Sequence, residues 1–218
     1  TGVQTCALPI YKVDGKTLFD EFSRGRYSTD ASVYQIKPLG VVLPKDTNDV
    51  LNLMEYSQKN SIPLLARGGG SSQCGQTVGE SVVLDYSKHQ NKILELNLEE
   101  KYVWVQPGVV LDHLNSFLRP YGLWFPVDVS TSSRATIGGM SANNSCGSRS
   151  LYYGNMVHNV LAIEAVLDDG SLHTFDQINK NYLTTTNNQD RFYKIIDKFL
   201  NLRQKVSKDI DENWPTTQ

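Results

Sequence analysis

Short apolar runs alternate with amphipathic stretches through the middle of the chain. The run from Gly40 to Leu43 is apolar and stops at Pro44, which predicts a short strand. Apolar side chains then recur at helical spacing from Thr47, the predicted N-cap, to about Asn60. The predicted pattern therefore opens with a strand followed by a helix.

Further apolar segments extend this pattern along the chain. Between residues 125 and 153 small and polar residues dominate, which predicts a long binding loop without regular structure. Beyond it, Asp168-Asp169-Gly170 predicts a hairpin turn between two strands. The further predicted strands are Ile62 to Ala66, Val82 to Asp85, Ile93 to Asn97, Tyr102 to Gln106, Val160 to Leu167 and Leu172 to Phe175, and predicted helices follow Pro107-Gly108 and cover Asn188 to Val206.

The composition narrows the class of partner. The chain has 218 residues, of which 39% are hydrophobic and 20% charged, as in an ordinary globular protein. A net charge of -2 gives no reason to expect binding to nucleic acid or to an anionic membrane. No apolar run approaches the roughly 20 residues of a membrane span. We therefore expect a small-molecule partner and no transmembrane segment. We further expect the protein to lie in the cytoplasm or peripherally at the inner membrane.

Cysteine and histidine spacing excludes several common sites. The three cysteines are an odd, widely spaced set without a CxxC pair, which argues against a disulfide framework or zinc ribbon and favours a reducing compartment. The four histidines lack close ligand spacing, so we expect no metal site, and none of them can be assigned as a catalytic base. These residues are Cys6, Cys74 and Cys146, and His89, His113, His158 and His173.

A glycine-rich loop directly after a predicted strand is the richest chemical signal. Three consecutive glycines allow successive backbone amides to point into one concavity and bind an anion such as phosphate. Ser71 and Ser72 add hydroxyl donors, while Arg67 would neutralise a phosphate or tie the loop to an acidic neighbour. The alternative is a flexible turn. The loop reads Arg67-Gly68-Gly69-Gly70-Ser71-Ser72-Gln73-Cys74-Gly75-Gln76-Thr77-Val78-Gly79.

This loop departs from two well-known phosphate-binding motifs. Its spacing fits the Walker loop, but Gln76 replaces the lysine that meets the β- and γ-phosphates, which argues against nucleotide hydrolysis. It also departs from the dinucleotide fingerprint, because Gln73 stands where the third glycine belongs. A second glycine segment, Ala135 to Gly147, offers another close backbone approach. Two such segments suggest a ligand with an extended phosphate bridge, as in a dinucleotide.

Taken in order, these motifs resemble the FAD-binding domain of the flavin-linked D-2-hydroxyacid dehydrogenases, in the vanillyl-alcohol-oxidase superfamily. The resemblance covers nearly everything from Arg26 to Phe175, and several motifs in the right order are more specific than any one alone. Besides the glycine loop, the motifs are Arg26 to Tyr34, Pro38 to Pro44, Val105 to Val109, Phe125 to Thr131, Thr136 to Gly147 and Tyr153-Gly154.

The resemblance implies an α+β fold, a PCMH-type FAD-binding domain of two α/β subdomains with FAD extended between them. We expect the C-terminal cap domain, which handles substrate in the family, to lie outside this chain. Residues 1–10 resemble translated sequencing adapter, residues 11–36 are expected to form an N-terminal extension, and residues 37–218 form the FAD-binding domain, incomplete at its C-terminus.

Site residues follow from the resemblance. It implies that the glycine loop holds the pyrophosphate through backbone amides, that residues 126–131 and 135–141 line a second wall, and that residues 154–160 flank the adenine or the flavin ring. Ser71 stands where some members carry a flavin-linked histidine, so we expect non-covalent FAD. The implied cofactor-binding residues are Arg67, Gly68, Gly69, Gly70, Ser71, Ser72, Gly75, Pro126, Asp128, Thr131, Ala135, Thr136, Gly138, Gly139, Ser141, Asn144, Gly154 and Val160.

The function implied is dehydrogenation of a D-2-hydroxy acid, of the D-lactate, glycolate or D-2-hydroxyglutarate class. Hydride would pass to the flavin and electrons onward to a quinone, cytochrome or partner flavoprotein. The isolated chain is expected to be inactive, because the catalytic residues are expected in the cap domain. The alternatives are an oxygen-dependent oxidase of alcohols or sugars and a nucleotide-binding module without redox chemistry. The sequence leaves the oligomeric state open.

Overall fold

A computed structural model describes residues 13–177 and 191–215. Within it the chain divides into two compact units, the first ending at Val160 and the second beginning at Leu161. The ten N-terminal residues and the predicted start of the last helix at Asn188 lie outside the described residues.

A four-stranded sheet forms the first half of the first unit. Its strands are β1 Lys16–Leu18, β2 Gly40–Leu43, β3 Leu64–Arg67 and β4 Val82–Asp85, in the spatial order β1-β2-β4-β3. Strands β2, β4 and β3 are parallel, and β1 pairs antiparallel with β2. Because parallel strands end at the same edge, Arg67 at the end of β3 lies beside Asp85 at the end of β4.

Helices α1 (Glu21–Arg26) and α2 (Thr47–Asn60) accompany this sheet. The prediction that Thr47 caps α2 was wrong, since the carboxylate of Asp46 accepts the N–H groups of Asn48 and Asp49 and leaves Thr47 inside the first turn. Residues 13–36, which the sequence analysis set apart as an extension, contain β1 and α1, so this segment contributes a strand to the sheet.

The core lies on both faces of the sheet. Strands β2 and β4 are buried along their whole length, which explains why they read as continuous apolar runs rather than alternating ones. Leu53 of α2 packs with Val42 and Leu84 on one face, and Tyr27 packs with Val41 on the other.

The second half of the first unit combines a hairpin with short helices around its own core. The stretch of residues 125–153 was predicted to lack regular structure, and this was wrong, because it contains two of these helices, α4 (Ile137–Ala142) and α5 (Ser150–Tyr153). Helix α4 forms because Thr136 caps it and Met140 packs into the core beside Leu111. The elements are β5 Ile93–Asn97, β6 Tyr102–Val105, α3 Leu111–Leu118, a 3₁₀ turn Arg119–Tyr121, α4 Ile137–Ala142, α5 Ser150–Tyr153 and α6 Met156–Asn159.

The second unit pairs a hairpin with a long helix. Strands β7 (Ile163–Val166) and β8 (Leu172–Phe175) are antiparallel, and the predicted turn between them is confirmed. Helix α7 (Arg191–Asn213) runs beyond the predicted end at Val206. Within the described ranges, no helix is both long and apolar enough to span a bilayer.

Candidate functional site

The glycine loop leaves the edge of the sheet where β3 and β4 end. In open α/β sheets, ligands bind outside the carboxyl ends of the strands, which is where this loop begins. Gly68, Gly69 and Gly70 follow β3, and their amide N–H groups have no hydrogen-bond acceptor among the residues that the structure describes. Consecutive unpaired amides form a polar concavity that favours an anion.

The loop lies directly against the second glycine segment. A Cβ added at Gly68 would come within 2.1 Å of Thr136 Oγ1, and one added at Gly69 within 2.2 Å of the Arg134 carbonyl oxygen. No side chain fits at either position, so the two glycines permit this close backbone approach. The structure thereby brings together the two segments that the sequence analysis paired.

Gly70 turns the loop with a left-handed backbone, at a φ of +64°. A side chain there would be strained, and its Cβ would lie 2.5 Å from Nη2 of Arg67. The reversal changes the direction of successive amides, as in the backbone nests that bind anions. The triple glycine is therefore a defined structure rather than only a flexible turn.

Side chains further along the loop bond mainly within it. The Ser72 hydroxyl donates to the side-chain carbonyl of Gln76 and accepts the amide of Cys74 at 3.1 Å. Gln76 also donates from Nε2 to Oδ1 of Asn143 at 3.2 Å, which links the loop to the second glycine segment. Ser71 is half-buried, and its hydroxyl has no partner in the described part of the chain.

The Arg67 guanidinium is bonded to backbone carbonyls. It donates to the carbonyl oxygens of Thr29 at 2.9 Å and Thr77 at 3.1 Å, with a longer contact to Tyr27 at 3.5 Å. Burial lowers the pKa of Arg67, while Asp85 acts in the opposite direction. Of the two roles considered from the sequence, these bonds favour tying the loop down, although through carbonyls rather than a carboxylate.

The second glycine segment has most of its amides paired. Gly138 donates to the Pro107 carbonyl at 2.9 Å, and Gly139 donates to Thr136 Oγ1 at 3.4 Å. Ala135 is buried and its carbonyl accepts from Leu111, while the Ser141 hydroxyl donates to Ile137. This segment forms a wall beside the loop, with few amides left for a ligand.

The predicted wall from Pro126 to Thr131 is also held by internal bonds. The Asp128 carboxylate accepts the Ser148 hydroxyl at 2.8 Å and the Arg149 amide at 3.0 Å. These bonds, that from Ser148 above all, hold the pKa of Asp128 below its usual value. The Thr131 carbonyl accepts two amides of the following turn, and Pro126 is half-buried.

The last predicted positions lie on short turns. Asn144 has a φ of 45°, and its side-chain carbonyl accepts the amide of Val157 at 3.0 Å. Gly154 ends α5, and Val160 ends α6 and packs on the core around Leu111. Hydrogen bonds link residues 144–145 to 156–157, and among the described residues none joins Gly154 or Val160 to the glycine loop.

His158, one of the four histidines, is exposed, and its Nδ1 accepts the Asn155 amide at 3.1 Å at the start of α6. This bond gives it a capping role. Within residues 13–177 and 191–215, no group of three or more metal-binding side chains could hold an ion.

Sequence reasoning missed the residues that hold the loop from the N-terminal side. Tyr34 lies so close to Gly75 that a Cβ there would meet its ring at 2.6 Å, and Thr77 donates to the Asp30 carboxylate at 3.0 Å. These contacts join residues more than 40 positions apart, which no local pattern reveals. The only available signal was the motif from Arg26 to Tyr34, noted without a role.

Comparisons with known proteins match this chain to a family model and to curated relatives. Residues 38–176 match the family model described as "FAD binding domain". A D-2-hydroxyglutarate dehydrogenase of Haemophilus influenzae is 43% identical over 158 residues, which are 70% of this chain and 15% of that protein. A mitochondrial D-lactate dehydrogenase [cytochrome] of Kluyveromyces lactis is 39% identical over 140 residues, 62% of this chain and 24% of that protein. The chain thus spans less than a quarter of either relative.

A solved structure shares the fold. The 6-hydroxy-D-nicotine oxidase of Arthrobacter nicotinovorans superposes with a TM-score of 0.70 over 81% of this chain and 39% of its own, at 18% identity. The α+β fold class predicted from the sequence is confirmed by this match.

Proposed function

The chain belongs to the FAD binding domain family, and from this premise we propose that it holds FAD non-covalently as the cofactor-binding part of an oxidoreductase acting on a D-2-hydroxy acid. Flavin supplies hydride-accepting chemistry in such enzymes. The task of this chain is to bind and orient the cofactor.

The unpaired amides of Gly68, Gly69 and Gly70 carry the proposal. A pyrophosphate bears two negative charges at neutral pH, and amide dipoles aimed into one concavity bind such a group without a counter-charge. A Cβ at Gly68 or Gly69 would fill the space between the loop and residues 134–136, so the cradle depends on glycine. The residues present therefore fit a dinucleotide phosphate bridge.

Non-covalent binding is proposed from the side chains beside the cradle. Ser71 follows the triple glycine, and a serine hydroxyl forms no histidyl link to flavin. His158 is engaged with the Asn155 amide. A nucleotide-binding module of the Walker type is less well supported, because Gln76 replaces the lysine and its side chain bonds to Ser72 and Asn143.

The substrate class rests on the relatives. Both are named for dehydrogenation of a D-2-hydroxy acid, and both are about 40% identical to this chain, at 43% and 39%. The chain covers 15% and 24% of their lengths, so we propose that substrate-handling residues belong to the rest of a longer enzyme. We propose a quinone, cytochrome or partner flavoprotein as electron acceptor.

Cofactor identity is tested by titrating the purified chain with FAD, FMN and Mg-ATP, then denaturing the FAD-loaded protein by heat and identifying the flavin in the supernatant. We expect tightest binding of FAD, because FMN lacks the pyrophosphate, and full release into the supernatant. Tighter binding of Mg-ATP would overturn the proposal, and flavin retained in the pellet would overturn non-covalent attachment.

Substrate class is tested on the full-length enzyme with a dye acceptor. D-2-hydroxyglutarate, D-lactate and glycolate are offered, with L-2-hydroxyglutarate and L-lactate as controls. We expect reduction of the dye with at least one of the first three and none with the L-acids. We also expect no turnover by the present chain alone, and turnover would show that the substrate machinery lies within it.

A further inference from the structure

The segment from Tyr27 to Tyr34 lies against the glycine loop, although the matched family region begins only at residue 38. It contacts the loop at three places. The guanidinium of Arg67 reaches the backbone of residues 27 and 29, Asp30 accepts the Thr77 hydroxyl, and the Tyr34 ring covers Gly75. The contacts therefore extend from the start of the loop to near its end.

Arg67 makes contacts that fit a guanidinium better than any other cation. Nη2 donates to the Thr29 carbonyl at 2.9 Å, Nη1 donates to the Thr77 carbonyl at 3.1 Å, and Cζ lies 5.3 Å from the centre of the Tyr27 ring. Two separate acceptors and an aromatic face suit the flat, forked guanidinium, whereas a lysine ammonium is a compact point charge. These contacts connect the segment and the far end of the loop through a single side chain.

Tyr27 anchors this arrangement to the sheet. Its hydroxyl donates to Oδ2 of Asp85 at 2.6 Å, and both residues are buried. The other oxygen of Asp85 accepts the Ser87 amide at 2.8 Å. Because Asp85 ends β4 beside Arg67, the anchor and the loop start from the same edge of the sheet.

The position of Gly70 connects this arrangement to the cradle. The Arg67 guanidinium lies under the Gly70 turn, where an added Cβ would be 2.5 Å from Nη2. The guanidinium thus packs against the left-handed turn at Gly70, the last of the three glycines. The hydrogen bonds that Arg67 makes in the described structure go to backbone carbonyls.

We propose that residues 27–34 and Arg67 form a clamp that holds the glycine loop in its FAD-binding conformation, with Arg67 as a positioning residue rather than a phosphate ligand. This inference rests on the proposed binding of FAD at the loop. A preorganised loop loses less entropy when its ligand binds, so the clamp raises affinity without touching the phosphates.

The test compares Arg67→Lys with Arg67→Gln by FAD titration at several salt concentrations. A positioning guanidinium predicts that both variants lose at least about tenfold in affinity, because neither side chain reproduces the fork. It also predicts that Lys, which keeps the charge but not the fork, restores little of the affinity at any of these salt concentrations. A direct phosphate ligand predicts that Lys restores most of the affinity that Gln loses. That result would overturn the proposal.

Thr77→Val provides a second test, which stays informative even if neither Arg67 variant folds. It removes the hydroxyl that Asp30 accepts and leaves the three glycine amides untouched. We expect faster hydrogen exchange in peptides covering residues 68–79 of the FAD-free protein, and a loss of about threefold in FAD affinity. Thr174→Val, an exposed change in β8, is the control and should alter neither.

Hydrogen exchange separates failure of the clamp from failure of the proposed function. If wild-type protein binds no FAD while Thr77→Val speeds exchange in residues 68–79, the clamp stands and the cofactor assignment falls. If wild-type protein binds FAD and Thr77→Val changes neither exchange nor affinity, the clamp is overturned.

Discussion

The two glycine segments use glycine for different purposes. In the loop that follows β3, the amides of Gly68, Gly69 and Gly70 have no partner among the described residues. In the second segment, the amide of Gly138 is bonded to Pro107 and that of Gly139 to Thr136. The loop therefore offers its backbone to a ligand, whereas the second segment uses its backbone to hold the fold.

Space explains the glycines of the second segment. A Cβ at Gly138 would lie 2.6 Å from Pro107 Cβ, and one at Gly147 would lie 1.8 Å from the Asp128 carbonyl oxygen. These glycines let neighbouring chain segments pack closely. A glycine-rich stretch in a sequence thus has two physical causes, and the pairing of its amides distinguishes them.

Gly69→Val should have the largest effect of these variants, because it changes the loop that we propose binds FAD. Its Cβ would meet the Arg134 carbonyl oxygen at 2.2 Å, so the loop and residues 134–136 would have to separate. We expect a loss of FAD affinity of at least about a hundredfold, equivalent to roughly 3 kcal/mol. The measurement is the ratio of flavin to protein absorbance after gel filtration, followed by FAD titration.

Gly25→Ala is the matched control for Gly69→Val. Gly25 lies in α1 and has no atom within 4 Å of an added Cβ. Alanine there should leave flavin occupancy unchanged and raise stability slightly, because alanine is the better helix former. Normal occupancy in Gly69→Val would refute the placement of the pyrophosphate at this loop.

Gly138→Ala should affect the fold more than the ligand. Its Cβ would press on Pro107, whose Cβ is 2.6 Å away and whose carbonyl accepts the Gly138 amide. We expect the free energy of unfolding to fall by about 1–3 kcal/mol, as in overpacked cores. Urea unfolding of the FAD-free protein measures this loss. FAD affinity of the folded protein should change much less than in Gly69→Val.

Gly139→Ala, at the neighbouring position, tests whether the contact with Pro107 causes the loss of stability in Gly138→Ala. A Cβ there meets only Thr136 Oγ1, at 3.1 Å, so the cost of crowding is small and the gain in helix propensity offsets it. Equal destabilisation by Gly138→Ala and Gly139→Ala would show that contact with Pro107 is not the cause.

The strands of the sheet could be predicted because their apolar runs reflect burial on both faces. Strands β2 and β4 occur with the predicted bounds, Gly40–Leu43 and Val82–Asp85. The short helices α4 and α5 were missed because their small and polar residues carry little hydrophobic period. Asp and Thr both suit an N-cap, and the extended backbone and side-chain hydrogen bonds of Asp46, which a sequence does not show, decide between Asp46 and Thr47.

Within the candidate site, the glycines could be predicted but the use of the side chains could not. A triple glycine after a strand indicates exposed amides from sequence alone. The direction of the Arg67 side chain depends on Tyr27 and Thr29, which lie 40 and 38 positions earlier in the chain. Likewise Asp128 bonds to residues 148–149 through the tertiary fold.

Asp128→Asn should lower the free energy of unfolding by a smaller amount that depends on pH. The pKa of Asp128 lies below 3.8 in the folded protein because Ser148 and Arg149 donate to its carboxylate. A lowered folded-state pKa contributes stability above pH 3.8 that is lost as the pH falls through the folded value. The stability difference between wild type and Asp128→Asn should therefore be present at pH 7, begin to shrink near pH 3.8 and be lost as the pH falls through the lower pKa of the folded state.

Urea unfolding at pH 7 and at successively lower pH measures this difference. Ser148→Ala removes the same hydrogen bond from the donor side, so its effect should not add to that of Asp128→Asn. Additive losses, or a difference that persists unchanged in acid, would show that the carboxylate stabilises this loop in another way.

The smallest effect is expected where the two segments meet through exposed side chains. Gln76 Nε2 donates to Asn143 Oδ1 at 3.2 Å across the gap between them, and both residues are exposed. An exposed hydrogen bond exchanges readily with water, so Gln76→Ala should lower FAD affinity by less than about threefold. Gln73→Ala, an exposed change in the same loop, is the control and should have no effect. A loss approaching that of Gly69→Val would mean that side chains, rather than glycine backbone packing, join the two walls of the site.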